Sequence, residues 1–290
     1  MIQDIGSHRF HNEYDPGASA EADSPVLCFD AGGILVREIR TPEGTKIRFP
    51  TAQEVFPDVF PNMLPGGERQ DLVFAFRMDE TAYFLDLSGR RCQIPGFEYR
   101  EIRKLRRLCD NADGMIVFTG IHLFQWYRQS RFCGCCGQLT RHDPAERAMD
   151  CPSCGHKIYP RLQPAVIVGV TSKDRLLVTQ YREGYQYYAL VAGFAEIGET
   201  FEETVRREVM EETGLKVKNI RYYKSQPWGI AQDLLAGFYC EADGDDTIRM
   251  DEQELRLALW KRREEIELQP DSFSLTNEMM KRFKDGEVPV

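Results

Sequence analysis

Residues 193–215 read GFAEIGETFEETVRREVMEETGL. Within that stretch Glu208 and Glu212 stand four apart, Glu208 and Glu211 three apart, and Val205 and Val209 four apart. On a helix those intervals bring the three carboxylates to one neighbourhood beside an apolar ridge, so the spacing predicts one helix over about 200–213. Each pair of like charges at such a spacing costs roughly 0.2–0.5 kcal/mol on an exposed helix. Hard divalent cations reverse that penalty, because clustered oxygen ligands are what Mg²⁺ or Mn²⁺ select. Gly193 and Gly198 let the preceding loop turn sharply towards the carboxylates, and Gly214 is placed to end the helix. Taken as a bare string of acids, the segment reads first as a solvated helix face.

Working outward, strand-like runs lie at 165–170, 175–180, 186–191, 215–223 and 233–241, with a further helix near 274–284. Strands on both sides of one strong helix indicate an α/β (α+β) domain. In the first third, Val26–Asp30, Ile34–Ile39, Leu72–Phe76 and Tyr83–Leu87 are short apolar runs separated by Pro and Gly, as in an antiparallel sheet. Residues 98–109 and 121–130 read as helices, and the small-residue tract 15–24 as a loop. The expected organisation is an N-terminal mixed α/β domain (1–130), a metal knuckle (131–160) and a C-terminal catalytic domain (161–290).

The knuckle rests on two pairs, Cys133/Cys136 and Cys151/Cys154, each separated by two residues, with fourteen residues between the pairs. Glycines follow both pairs and supply turns. Four thiolates at about 2.3 Å close a tetrahedral zinc site, whose binding energy would fold a loop too small to bury a core. Cys135, inside CGCC, is an alternative to Cys136, which keeps the two-residue gap. Cys28, Cys92, Cys109 and Cys240 read as small core hydrophobes.

The order Gly193, five residues, Glu199, seven residues, then Arg207-Glu208-Val209-Met210-Glu211-Glu212-Thr213-Gly214-Leu215 resembles the Nudix box at every defined position. That resemblance implies a C-terminal Nudix α/β/α sandwich in which water attacks phosphorus of a nucleoside diphosphate linked to a moiety X. Position by position it implies Glu208, Glu211 and Glu212 as ligands of magnesium or manganese, with the Ala192 carbonyl a further candidate. Glu199 would support the loop, and Arg207 would orient the glutamates through a salt bridge.

A four-cysteine knuckle directly before such a box, the link YPRLQPAVIVGV (159–170) and Ser225-Gln226-Pro227-Trp228 are similar to the NADH pyrophosphatase branch. The resemblance covers roughly 121–260. It implies hydrolysis of NADH or NAD to NMN(H) and AMP, with removal of NAD caps from RNA 5′ ends as the alternative, and it suggests a homodimer in which Trp228 reaches near the partner's site. Phe194 and Trp228 would sandwich or flank a base or nicotinamide ring, with Gln226 and Pro227 belonging to the same signature. Glu146 and Tyr159 fall where the branch touches substrate, and Glu254 matches a late glutamate that joins the metal site. The branch continues with Pro-Phe-Pro, a variable residue and Ser, where this chain has Gly229-Ile230-Ala231-Gln232-Asp233. Asp233 therefore places a carboxylate where a hydroxyl could face the ligand. In the basic run Arg100, Arg103, Lys104, Arg106, Arg107, Arg103 is a candidate for the phosphate or adenylate end, against a solvated face.

The net charge of −9 argues against an indiscriminate nucleic-acid binder, while bound cations still allow a phosphate substrate. Residues 1–15 hold no apolar signal core, and no run approaches the roughly 18 apolar residues of a spanning helix. The expectation is a soluble, cytoplasmic enzyme. A catalytically silent nucleotide sensor built on the same fold is the rival from another class.

Overall fold

In a computed structural model, residues 1–31, 33–42, 44–60, 71–106 and 108–288 are described. Arg107, from the basic run, lies outside them. Packing divides the chain into two compact units, one of Gln3–Arg161 with Gly229–Ala231, the other of Met1–Ile2, Leu162–Trp228 and Gln232–Val290.

The first unit carries strands β1 (Phe10–His11), β2 (Val26–Leu27), β3 (Phe29–Asp30), β4 (Gly33–Thr41) and β5 (Gly44–Arg48), then a one-turn helix α1 (Ala52–Val55). Strands β6 (Leu72–Met78), β7 (Thr81–Asp86) and β8 (Glu98–Arg100) follow, with a short helix α2 (Ile102–Leu105) and the long helix α3 (Asn111–Gln129). The strands form one sheet ordered β1-β6-β7-β2 and another ordered β3-β4-β5, with β8 on β4. Residues 98–109 are therefore not one helix: Tyr99 and its neighbours pair with Ile34–Val36, so strand pairing overrides the helical look of the basic run. Helix α3 begins ten residues before the expected 121, capped by the Asp110 carboxylate on the Asp113 N–H at 2.9 Å. Its Gly120 is required by packing, since a Cβ there would stand 2.6 Å from Leu27 Cδ1.

The knuckle is a three-stranded sheet of two-residue strands, β9 (Arg141–His142), β10 (Met149–Asp150) and β11 (Lys157–Ile158), ordered β11-β10-β9.

The second unit is a mixed sheet between two helices. Its strands are β12 (Gln163–Ser172), β13 (Arg175–Tyr181), β14 (Val191–Phe194), β15 (Val217–Trp228), β16 (Asp233–Ala242) and β17 (Leu255–Arg262); its helices are α4 (Phe201–Thr213) and α5 (Leu275–Lys284). The order is β15-β16-β12-β13-β17, with β14 also on β12 and β12 parallel to β16. Side chains alternate across the sheet. Val166, Val168, Val170 and Leu177 pack with Val205 and Val209 of α4 on one face. Ile167, Leu176 and Val178 pack with Met279, Met280 and Phe283 of α5 on the other. The expected α/β/α sandwich is this arrangement. The expected strand at 186–191 is displaced to 191–194, and β17 was not anticipated. Among the described residues, no helix is long and apolar enough to cross a membrane.

Candidate active site

The acidic segment folds as the spacing dictates. Thr200 caps α4 by accepting from the Glu203 N–H at 3.2 Å, while the Glu203 carboxylate accepts from the Thr200 N–H at 2.7 Å. Val205 and Val209 are fully buried. Gly214 ends the helix at φ 70°, a left-handed position that suits glycine.

Pinned by that ridge, α4 turns its acids towards β14. Gly193 leaves the room: a methyl at its Cα would overlap the Glu208 carboxyl. Glu212 is 1% exposed, its Oε1 accepts from the Ala192 N–H at 3.4 Å, and its Oε2 has no hydrogen-bond partner among the described residues. Burial pushes the Glu212 carboxyl up to about 8, helped by the charges of Glu254 and Glu208. Burial also raises Glu208, despite its bond to Arg207. Glu254 precedes β17, and its carbonyl accepts from the Arg182 N–H at 3.0 Å. A buried carboxylate oxygen with no donor among the described residues, in the field of two more acids, is the chemistry a hard divalent cation would satisfy.

Arg207 organises the rim. Its Nε and Nη2 reach the two oxygens of Glu199 at 2.6 and 2.9 Å, and Nη1 reaches Glu208 at 2.8 Å and Glu211 at 3.0 Å. Nη2 also donates to the Phe194 carbonyl at 2.9 Å, which ties the loop to the helix. The Arg207 guanidinium, together with the Glu196 N–H, holds the Glu199 carboxyl down at about 2. Glu211 is exposed, with its side chain 59% accessible. The carboxylates do not converge as tightly as a metal-bound set: among the described residues, the groups whose donor atoms all lie within 4.8 Å of one another are four cysteines and a separate triad.

Those four are Cys133, Cys136, Cys151 and Cys154. Cys133 Sγ is 3.6 Å from Cys154 Sγ, and Cys136 Sγ is 3.4 Å from Cys151 Sγ. Four bonds of about 2.3 Å in a tetrahedron put sulfurs about 3.8 Å apart, so the set fits zinc. Cys135 lies outside the group, and its N–H instead donates to Cys133 Sγ at 3.4 Å.

The NUDIX domain family matches residues 161–283, and the NADH pyrophosphatase zinc ribbon domain matches residues 128–159. The chain is 40% identical over 174 residues to the NAD-capped RNA hydrolase NudC of Klebsiella pneumoniae (strain 342), covering 59% of this chain and 67% of that protein. This chain belongs to the Nudix hydrolases, in the NADH pyrophosphatase family with a zinc ribbon. The NAD-capped RNA hydrolase NudC of Salmonella schwarzengrund (strain CVM19633) is 38% identical over 173 residues, with the same shares covered. Among solved structures, a Nudix hydrolase from Nitrosomonas europaea superposes with a TM-score of 0.48 at 21% identity, over 53% of this chain and 90% of that one.

In this Nudix hydrolase the cysteine ribbon is a structural zinc site, and the family's chemistry calls for a divalent cation at the glutamates. The remaining candidates are dispersed. Phe194 is exposed, and Trp228 is half-buried. Phe194 pairs with Ala165 on β12, and Trp228 pairs with Asp233 on β16, so β12 and β16 separate them. Three strand spacings amount to roughly 14 Å, too far for the two rings of one chain to sandwich a single planar group. Gln226 is fully buried: its amide donates to the Phe273 carbonyl at 2.6 Å and accepts from the Leu275 N–H at 2.6 Å. That side chain clamps the start of α5, which departs from the expected ligand contact, and Pro227 lies beside it opposite Leu234.

Asp233 is 5% exposed, and its Oδ1 has no partner among the described residues. In the other unit, Tyr159 donates to Glu146 Oε1 at 3.0 Å and Lys157 reaches the same oxygen at 2.6 Å, so these two candidates stand together. Arg103 lines a cavity of about 530 Å³ with Glu101, Phe124 and Arg128. The altered residue Gly229 has a packing reason, because a Cβ there would overlap the Phe118 carbonyl of α3. Tyr181 escaped the sequence reading. It ends β13 at a register shift, and burial, with the charges of Glu212, Glu254 and Glu208, raises its phenol. A strand-end bulge is the signal that marks it, and pairing alone reveals it.

Proposed function

We propose that this chain hydrolyses the pyrophosphate bond of NADH or NAD to NMN(H) and AMP, and removes NAD caps from RNA 5′ ends by the same cut. The observation that carries the reading is a buried Glu212 oxygen with no partner among the described residues, on the helix whose Glu208 and Glu211 are held by Arg207, itself bound to Glu199. The names of the relatives, NAD-capped RNA hydrolases, support the choice of substrate. Glu208, Glu211, Glu212, Glu254 and the Ala192 carbonyl would hold magnesium or manganese, which when bound neutralises phosphate oxygens and polarises phosphorus. Glu211, exposed and bonded by Arg207 at 3.0 Å, would offer its carboxylate to that metal from the solvent side. Arg207 keeps Glu208 and Glu211 in register, and Glu199 keeps Arg207 in place.

Phe194 and Trp228 offer aromatic faces to the base and nicotinamide. Their separation within one chain supports a homodimer in which Trp228 serves the partner's site. By the resemblance to the branch, Glu146, Tyr159 and Arg103 are further candidates for touching substrate, and Asp233 for accepting from a ribose hydroxyl. The organisation proposed is 1–130, 131–160 and 161–290 for the N-terminal domain, ribbon and catalytic domain, in a cytoplasmic enzyme.

The test is a rate comparison over NADH, NAD, ADP-ribose and NAD-capped RNA, for the wild type and Asp233→Ser. The dinucleotides and the capped RNA are cut at the pyrophosphate, and Asp233→Ser raises KM more than it lowers kcat. Binding of all four without any product would move the chain to the silent-sensor class.

A further inference from the structure

The N-terminal unit holds a second cluster of metal-ligand side chains, Cys28, Asp86 and Cys92, whose donor atoms all lie within 4.8 Å of one another. We propose that this triad is a second binding site for a thiophilic divalent cation, zinc in the first instance, distinct from the ribbon and from the glutamates. The fold builds the site from three places. Strands β2 and β7 run parallel with Val26 opposite Phe84 and Leu27 opposite Leu85, so one further step sets Cys28 against Asp86. Cys92 comes from the stretch between β7 and β8, anchored where its N–H donates to the Tyr99 hydroxyl at 3.1 Å.

Each donor is oriented. Asp86 Oδ1 accepts from the Ser88 N–H at 2.9 Å, which turns Oδ2 to Cys92 Sγ at 3.6 Å. The Cys28 and Cys92 thiols are within hydrogen-bonding reach of each other. Cys28 is 2% exposed and Asp86 4%, while Cys92 is half-buried and gives a route in from solvent.

Asp86 is a buried carboxylate with no cation paired to it among the described residues; nearby Arg91 reaches Asp30 at 3.1 Å instead. Such a group is costly unless something of opposite charge joins it. Two thiols that give up their protons to solvent, with one carboxylate, supply the mixed sulfur and oxygen set that zinc accepts, leaving a fourth position for water. The cation would staple the strand-free stretch after Leu87 to β2 and β7.

The experiment is a zinc count on the full-length chain, purified without chelator and dialysed against excess Mg²⁺, for the wild type, Cys92→Ala and Asp86→Asn. The wild type carries about two zinc ions per chain and Cys92→Ala about one, the ribbon's own. Asp86→Asn keeps the shape of the carboxyl, which guards against simple misfolding, and weakens the second zinc about tenfold or more. One zinc in the wild type overturns the proposal. So do two in Cys92→Ala, which would put the extra ion elsewhere, and a Cys28–Cys92 disulfide in metal-replete protein. None of these results bears on the pyrophosphate reading, because no member of the triad belongs to that site.

Discussion

Asp233 shows how one residue can carry a cost that its neighbours do not offset. Its carboxyl is nearly inaccessible, and burial pushes it up to about 6 from 3.8. Between those values the folded chain keeps a proton that the unfolded chain releases, so stability falls as pH rises through that window. Asp233→Asn removes the charge and keeps the shape. It should raise the melting temperature near pH 8 and leave it unchanged near pH 4, as thermal melts at the two pH values would show. An equal shift at both would mean that the charge is not the cause. The contrast is Glu199, an acid held low because Arg207 meets both of its oxygens. Both carboxylates were visible in the sequence, but only Glu199 sat in a pattern that fixed its partner. The isolation of Asp233 and the place of Tyr181 depend on which strand lies next to which.

Among elements, the ribbon makes the sharpest statement. Its strands are two residues long, far too short to hold by pairing alone, so its fold rests on the metal. Cys136 Sγ stands with the other three thiols and Cys135 does not. Cys135→Ser should therefore keep its zinc and Cys136→Ser should lose it, measured by zinc content and by the resistance of residues 131–160 to protease. Equal retention in both would show that either cysteine can serve. Helix α4 was legible because its cap, apolar ridge and terminal glycine are all local signals within about fourteen residues. Residues 98–109 were not, because the partner that makes Glu98–Arg100 a strand is β4, some sixty residues earlier. Helix α3 extends ten residues before the expected 121 through Gly114 and Gly120, a pair of low helix propensity, and Gly120 leaves room for Leu27. Strand β17 carries an alternating Leu255, Leu257, Leu259 that the sequence reading passed over, and its partner β13 lies some seventy residues earlier.

For the molecule as a whole, chain order and packing order differ at the ends. Met1 and Ile2 belong to the C-terminal unit, where the Ile2 N–H donates to the Phe273 carbonyl at 3.0 Å. Gly229–Ala231 group with the N-terminal one. The catalytic box, the ribbon and the family they define were readable from spacing, since metal-ligand and helix-face intervals are short-range. The net charge of −9 leaves room for an anionic substrate, because cations bound at the glutamate cluster would invert the local charge. The most direct test is the product profile from NADH with Mg²⁺ or Mn²⁺, for the wild type and Glu211→Gln with its fold checked by circular dichroism. The account predicts NMNH and AMP in equal amounts, formed about 100-fold or more slowly by the variant. A cut at any other bond, or a variant as fast as the wild type, would contradict it.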